Sequence, residues 1–401
     1  MSECTTLESE PQTSSMRRWL AVLSLACGTF ILVNTEFLPI GLLTPIAHAL
    51  GVSEGQAGWA IMLPGLVAAL AAPLLMLFSR RLNRRTLLLI LSGSIIVSNA
   101  IAMFAHSFPV LLLGRFILGF GVGGFWAFAI PAGRRMVSEA QGARAISLIS
   151  AGVAVGTVAG VPAGAFIGEL FGWRMAFTMN TVLAVAVFIY QWFALPSLPA
   201  KNSLGLGSLL TVAKIKGVRR GLMIGVFMAS AQFSAYTYLE PWLRFQVKLS
   251  ASDISLLLMC YGVAGLIGTF LTEVTVREFG VRRAFLGNVL LLALSVLIAS
   301  QVSSSVAAAS TLVILWGLAF GALPVCLNIW IYQASPAMFE SGSALMVCVF
   351  QIALACGAFF GGVLADTQGT AAAFILGGVL ALLACVSIFV SHPQQSRVTG
   401  Q

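Results

Sequence analysis

Twelve stretches of about 20 apolar residues, joined by short polar connections, dominate this chain of 401 residues. A run of that length crosses the hydrocarbon of a bilayer as a helix, because lipid offers no partner to an exposed backbone N–H or C=O. Read by hydropathy, the first six spans cover Trp19–Gly41, Gln56–Ser79, Thr86–Ala105, Phe108–Ala132, Ala145–Leu170 and Trp173–Leu195. The last six cover Val218–Leu239, Ser252–Thr272, Ala284–Gln301, Val306–Ile331, Ser343–Leu364 and Ala371–Ser391. The expected fold is therefore an all-α membrane protein of twelve transmembrane helices, with the lipid bilayer as its solvent. Charged residues make up only 9% of the chain, against roughly 25% in soluble domains.

The longest connection, 196–217, divides the spans into two sets of six. The expected organisation is an N-terminal tail (1–18), a six-helix bundle (19–195), a central loop (196–217), a second bundle (218–391) and a C-terminal tail (392–401). The first fifteen residues are polar and mildly acidic, unlike the basic start of a secretory signal, so the first span is read as an uncleaved helix.

Basic residues orient the spans. With the N-terminus in the cytoplasm, the inner segments hold Arg17, Arg18, Arg80, Arg81, Arg84, Arg85, Arg134, Arg135, Arg144, Lys201, Lys214, Lys216, Arg219, Arg220, Arg277, Arg282, Arg283 and Arg397, which is 18 of the 22 Lys plus Arg. The outer segments hold Arg174, Arg244 and Lys248. This asymmetry places both termini in the cytoplasm. It also accounts for the net charge of +9 without a nucleic-acid partner. Of the seven cysteines, six fall in apolar spans and none forms a C-x-x-C pair, so they read as small buried hydrophobes.

The two halves echo each other at an offset near 200 residues. Leu118-Gly119-Phe120-Gly121 returns as Leu318-Ala319-Phe320-Gly321. Gly156, Gly160 and Gly164 return as Gly357, Gly361 and Ala365. Leu82-Asn83-Arg84-Arg85 has its counterpart in Phe279-Gly280-Val281-Arg282-Arg283. A duplicated six-helix unit is the architecture of secondary transporters, with a solute site between the halves near the bilayer midplane.

In span five, Gly152, Gly156, Gly160, Gly164 and Gly168 stand four residues apart, with Pro162 among them. Small residues let helices approach closely in a membrane. Four residues overshoot one α-helical turn by roughly 40°, so five such glycines wind through about 160° of surface. That exceeds one straight contact line. The expectation is a helix that bends at Pro162 or changes partners, at the seam of a moving bundle.

Three ionisable residues lie in or near the hydrocarbon: Glu36, Arg115 and Glu240. Each costs about 2.5–3.5 kcal/mol at a helix centre and so needs a partner or a purpose. Glu36 is about 26 Å along span one, and Arg115 roughly 10 Å along the descending span four. Both fall in the outer half, where they could pair. Burial penalises a charged carboxylate and a nearby guanidinium favours it, the balance a proton-coupling residue needs. A static pair that fixes helix packing, or a Glu36 that only binds solute, fits the same residues. Glu240, before Pro241, reads first as a wet carboxylate at a helix end.

Asn34, Thr35, Trp126, Gln232, Tyr236, Tyr238, Asn328, Trp330 and Gln351 dot spans one, four, seven, ten and eleven. Together they could line a cavity for a small polar or aromatic solute; singly, each could equally bond helix to helix. Gly119-x-Gly121-x-x-Gly124 matches a dinucleotide fingerprint but lies in an apolar span without a βαβ context. His48, His106 and His392 are isolated. No metal-ligand cluster, cofactor motif or catalytic triad is visible, so neither an enzyme nor a bound cofactor or metal is expected.

Arg115-x-x-Leu118-Gly119-x-Gly121 resembles the span-four motif of the major facilitator superfamily, in particular its twelve-helix bacterial drug/proton antiporters. The glycine ladder with Pro162 is similar to their span-five antiporter motif. Gly160-Val161-Pro162-Ala163-Gly164 followed by Gly172-Trp173-Arg174-Met175-Ala176-Phe177 resembles the sugar- and nucleoside-efflux branch. Glu36-Phe37-Leu38-Pro39, Leu42-Leu43-Thr44-Pro45, Gly123-Gly124-Phe125-Trp126, Leu195-Pro196-Ser197-Leu198-Pro199, Ile314-Leu315-Trp316-Gly317-Leu318 and Cys356-Gly357-Ala358 look like purine ribonucleoside efflux pumps. The resemblance covers nearly the whole chain. It implies two pseudo-symmetric six-helix bundles, a monomer in the bacterial inner membrane, and a proton gradient as energy source. It also links Arg115 to proton coupling. The chain departs from the family in the loop between spans two and three, where Met76, Arg80 and Asn83 replace the usual Gly and Asp. Without that acid, gating would fall to Arg84 and Arg85 against other helix ends.

The expected function is a proton-coupled antiporter that exports a small polar or aromatic solute, best a purine ribonucleoside such as inosine. The rivals are sugar or multidrug efflux, an uptake symporter on the same fold, and a non-transporting membrane receptor.

Overall fold

The structure is a computed structural model describing residues 15–79, 82–138, 141–199, 206–302 and 304–390. Arg80, Arg81, Lys201, Arg397, Cys4, His392 and most of both predicted tails lie outside the described residues.

The N-terminal half comprises α1 (Ser15–Phe37), α2 (Leu43–Leu50), α3 (Glu54–Ala57), α4 (Trp59–Phe78), α5 (Arg84–Met103), α6 (Phe108–Arg135), α7 (Gly142–Val155), α8 (Val161–Phe171) and α9 (Trp173–Ala194). A 3₁₀ turn, Leu38–Leu42, joins α1 to α2, and a π-helical turn, Gly156–Gly160, joins α7 to α8. The connection holds a short helix, α10 (Leu206–Ala213). The C-terminal half comprises α11 (Lys216–Tyr236), α12 (Leu239–Pro241), α13 (Ala251–Phe279), α14 (Val281–Ala299), α15 (Val306–Ala334), α16 (Phe339–Gln368) and α17 (Thr370–Val390). No strand occurs among the described residues.

Among the described residues, eleven helices are long and apolar enough to cross a membrane; α11 with the bent segment Leu239–Gln246 makes twelve if that pair is one span. Within the N-terminal half α4 and α5 pack on α6, α1 on α7, and α5 on α9. Within the C-terminal half α13 and α14 pack on α15, and α11 on α16 and α17. The tight turns show the duplication again. Gly172 between α8 and α9 and Gly369 between α16 and α17 have φ of 86° and 90°. Such backbone is open to glycine and costly for any other residue.

The connection is more ordered than a plain loop. Val212 on α10 is buried against Val218 and Ile331, and α10 packs on α16.

The halves meet through α4 with α16 and α8 with α13. The hydrogen bonds described between them gather toward one end. There Thr44 N donates to Glu240 Oε2 (3.1 Å), Gly55 N donates to Asp366 Oδ1 (2.8 Å) and Ser53 Oγ donates to Asp366 Oδ2 (2.5 Å). We call this the clamped end. Arg84, Arg85, Arg135 and Arg282 lie at the opposite, basic end, against Ser79, Trp192, Pro199 and Ile388.

The glycine ladder holds to one partner. A Cβ on Gly152, Gly156, Gly160, Gly164 or Gly168 would strike Ala26, Phe30, Asn34, Leu38 or Leu42 respectively. Of the two alternatives, a helix that bends or one that changes partners, the ladder keeps its partner and breaks its regular pitch instead. The π turn takes more residues per revolution and so cancels the drift that a uniform α-helix would accumulate. Pro162 supplies the cause, since it has no N–H to return to the carbonyl of Val158. The opposite face of the turn lies on the other half, where a Cβ on Gly262 of α13 would come within 2.7 Å of Val158 Cα.

Candidate functional site

Arg115 is fully buried on α6. It does not form the side-chain ion pair with Glu36 that the spacing allowed. Its Nη1 donates to Thr35 O (2.7 Å), its Nη2 to Glu36 O (2.6 Å) and its Nε to Ala60 O (2.5 Å). The backbone explains why those carbonyls are free. Pro39 follows Thr35 by four residues and Pro64 follows Ala60 by four, and neither proline has an N–H to close the helical bond. The guanidinium fork fills both gaps and caps the C-terminus of α1, where a positive charge is favoured.

The Glu36 carboxylate, 2% exposed, reaches the other half instead: Gln351 Nε2 on α16 donates to its Oε1 at 3.0 Å. Arg115 acts on it electrostatically. Beside it, Phe37 stacks on Phe233 of α11 at 5.7 Å, and Phe233 meets Phe320 and Phe350 edge-on. At this level the halves thus meet through a buried acid and, at the next residue, through stacked aromatic rings.

The amides and hydroxyls form a separate layer. Asn34 Nδ2 donates to Asn180 Oδ1 (2.9 Å), and Thr35 Oγ1 accepts from Asn180 (2.8 Å) and Asn99 (3.0 Å). This network ties α1, α5 and α9 together. Asn34 is buried, and among the described residues its Oδ1 has no hydrogen-bond partner. Asn99 and Asn180 were not singled out by sequence, although an amide in the middle of an apolar span is a signal.

In the C-terminal half, Gln232 is engaged at both ends of its amide. Its Nε2 donates to Tyr261 OH (2.7 Å), and its Oε1 accepts from Trp316 Nε1 (2.7 Å). Tyr236 stacks on Tyr261 at 4.8 Å. Tyr238 OH donates to Ala358 O (2.7 Å), and Trp330 Nε1 donates to Gly217 O (3.2 Å). Gln232, Tyr238 and Trp330 therefore brace helices, the alternative to cavity lining that the sequence left open for each. Trp126 and Asn328 are half-buried, and the Asn328 amide donates to Pro324 O.

Glu240 is fully buried, not wet. It accepts from Arg244 Nε (2.5 Å) and from Thr44 N of the other half, while Arg244 also lies 4.0 Å from Glu169. The chain bends by 41° between Tyr236 and Leu239, and the segment after the bend carries this carboxylate to Thr44 of the other half. Arg84 bonds Ser79 and lies over the Phe128 ring, and Arg85 bonds Trp192 O, all within the N-terminal half. No group of His, Cys, Asp and Glu fit to hold a metal occurs among the described residues.

The family model described as Major Facilitator Superfamily matches residues 25–221 and again 222–401. The chain is 37% identical over 373 residues to a Pseudomonas aeruginosa protein named transcription regulatory protein OpdE, covering 91% of this chain and 92% of the other. It is 34% identical over 371 residues to the purine ribonucleoside efflux pump NepI of Escherichia coli K12, covering 92% and 93%. A bacterial homolog of the human lysosomal transporter Spinster, solved inward-facing and unoccupied, matches with a TM-score of 0.77 at 18% identity over 94% and 97% of the two chains. The human organic anion transporter MFSD10 matches at 0.65 and 19% over 94% and 100%. With two matched halves, eleven to twelve apolar helices and relatives aligned almost end to end, this multi-pass membrane protein belongs to the major facilitator superfamily of transporters.

Proposed function

We propose that the chain is a proton-coupled antiporter that exports a small polar or aromatic solute, a purine ribonucleoside first, by alternating access. The observation that carries the reading is Glu36: a buried carboxylate on one half, bonded to the other half, under the field of a buried guanidinium. A group so placed binds a proton with an affinity that differs between facing states, which is what coupling requires. Glu36 and Arg115 are the proposed coupling residues. The aromatic border of Phe37, Phe233, Phe320 and Phe350 suits a planar solute. The name of the NepI relatives supports the nucleoside. The basic end supports an inner membrane placement with both termini in the cytoplasm. No cofactor is required beyond the proton gradient.

The name of the Pseudomonas relative supports a second reading, a membrane protein that senses a solute without moving it. One experiment separates the two. Purified protein in liposomes under an imposed pH gradient is offered radiolabelled inosine, arabinose and a cationic dye, with wild type and Glu36→Gln side by side. Gradient-driven inosine movement, lost in the variant, is the expected result. Movement of sugar or dye alone replaces the substrate. Uphill export by Glu36→Gln with an intact gradient response removes the proton role. Saturable binding with no flux leaves the sensor.

A further inference from the structure

We propose that Gln351 is the positioning residue that ties the protonation of Glu36 to the closing of the two halves. The inference rests on Glu36 as the proton site and goes on to say how its charge is read. Gln351 is the side chain from the C-terminal half bonded to the carboxylate, and the two are 6% and 2% exposed. Its backbone lies against α4 of the other half: a Cβ on Gly65 would lie 3.1 Å from Gln351 O. The amide therefore meets Glu36 only when the halves are together at this level. Arg115 cannot take its place, because all three of its described bonds go to backbone carbonyls. A charged carboxylate accepts a stronger bond than a protonated one. Closure then favours charged Glu36, and charged Glu36 favours closure by the same factor. The deprotonated, empty protein is held clamped, and protonation loosens it.

Among the described residues the charged group acting on Glu36 is Arg115. Four further carboxylates, Glu54, Glu169, Glu240 and Asp366, lie at the clamped end and are common to every variant compared. The test subtracts them. Spin labels are placed at His48 and Ser252, exposed positions on either half at the clamped end, in a chain whose own cysteines are replaced by alanine. The inter-label distance distribution of the full chain in nanodiscs is recorded across pH for wild type, Glu36→Gln and Gln351→Met. In wild type, acidification raises the ratio of open to clamped populations. The part of that rise missing from Glu36→Gln, at least about tenfold for one charge-assisted bond, is expected to be missing from Gln351→Met as well. If Gln351→Met keeps the wild-type response while Glu36→Gln loses it, the latch is wrong and the proton site stands. If Glu36→Gln itself keeps the full response, the proton reading falls and the latch with it. Should the methionine variant not fold, Gln351→Asn, which retains an amide of shorter reach, is read by the same two outcomes.

Discussion

A buried arginine that spends its three described bonds on backbone carbonyls is a repair of two broken helices. Removing it would leave the carbonyls freed by Pro39 and Pro64 unpaired in an apolar interior, at about 1–3 kcal/mol for each. Arg115→Leu is therefore expected to lower the thermal midpoint of the detergent-solubilised protein. Pro64→Ala restores an N–H to Ala60 O and should recover part of that loss in the Arg115→Leu background, while doing little in wild type. Equal effects of Pro64→Ala in both backgrounds would refute the capping role. At this scale Glu36 and Arg115 were legible, because charge inside an apolar run is rare. Their partners were not. Gln351 lies 315 residues from Glu36 in the chain, and Asn180 lies 145 from Thr35. Glu240 was misread because its depth depends on the bend between Tyr236 and Leu239.

The spanning helices and their order followed from hydropathy, since lipid leaves no other way to satisfy a spanning backbone; the short helices α2, α3 and α10 did not. The geometry of the glycine ladder did not. Spacing by four fixes a stripe only once the helical pitch is known, and the π turn at Gly156–Gly160 changes that pitch. The turn has α1 on one face and α13 on the other, which makes the α13 contact a place to test its role. Gly262→Leu would drive a side chain toward the Val158 backbone, 2.7 Å from the nearest Cβ position. Backbone cannot swing aside as a flexible side chain can. The variant should insert and fold, because each half keeps its own core, yet be held from closing. Flux in liposomes is expected to fall about tenfold or more with the thermal midpoint little changed. Wild-type flux in Gly262→Leu would show that this seam does not close during transport.

Across the whole molecule, the halves are joined by a small set of polar contacts at the clamped end, and Asp366 carries two of them. Its carboxylate takes the Ser53 hydroxyl and the Gly55 N–H, so one side chain of α16 caps the turn that leads into α4. Both bonds cross between halves and neither contributes to the core of either bundle. Each bond to a charged acceptor adds about 1.5–3 kcal/mol where buried, and less here because Ser53 and Asp366 are partly wet. Losing both should move the balance of the two states by roughly tenfold toward opening at this end. Asp366→Ala, with labels at His48 and Ser252, is expected to enlarge the long-distance population at every pH. That uniform shift distinguishes it from Gln351→Met, which alters the response to pH. The melting of either bundle should be unaffected, because the bonds are absent from both cores. A distance distribution unchanged by Asp366→Ala would mean that the remaining contacts, among them Gln351 with Glu36 and Thr44 with Glu240, hold the halves without these two bonds.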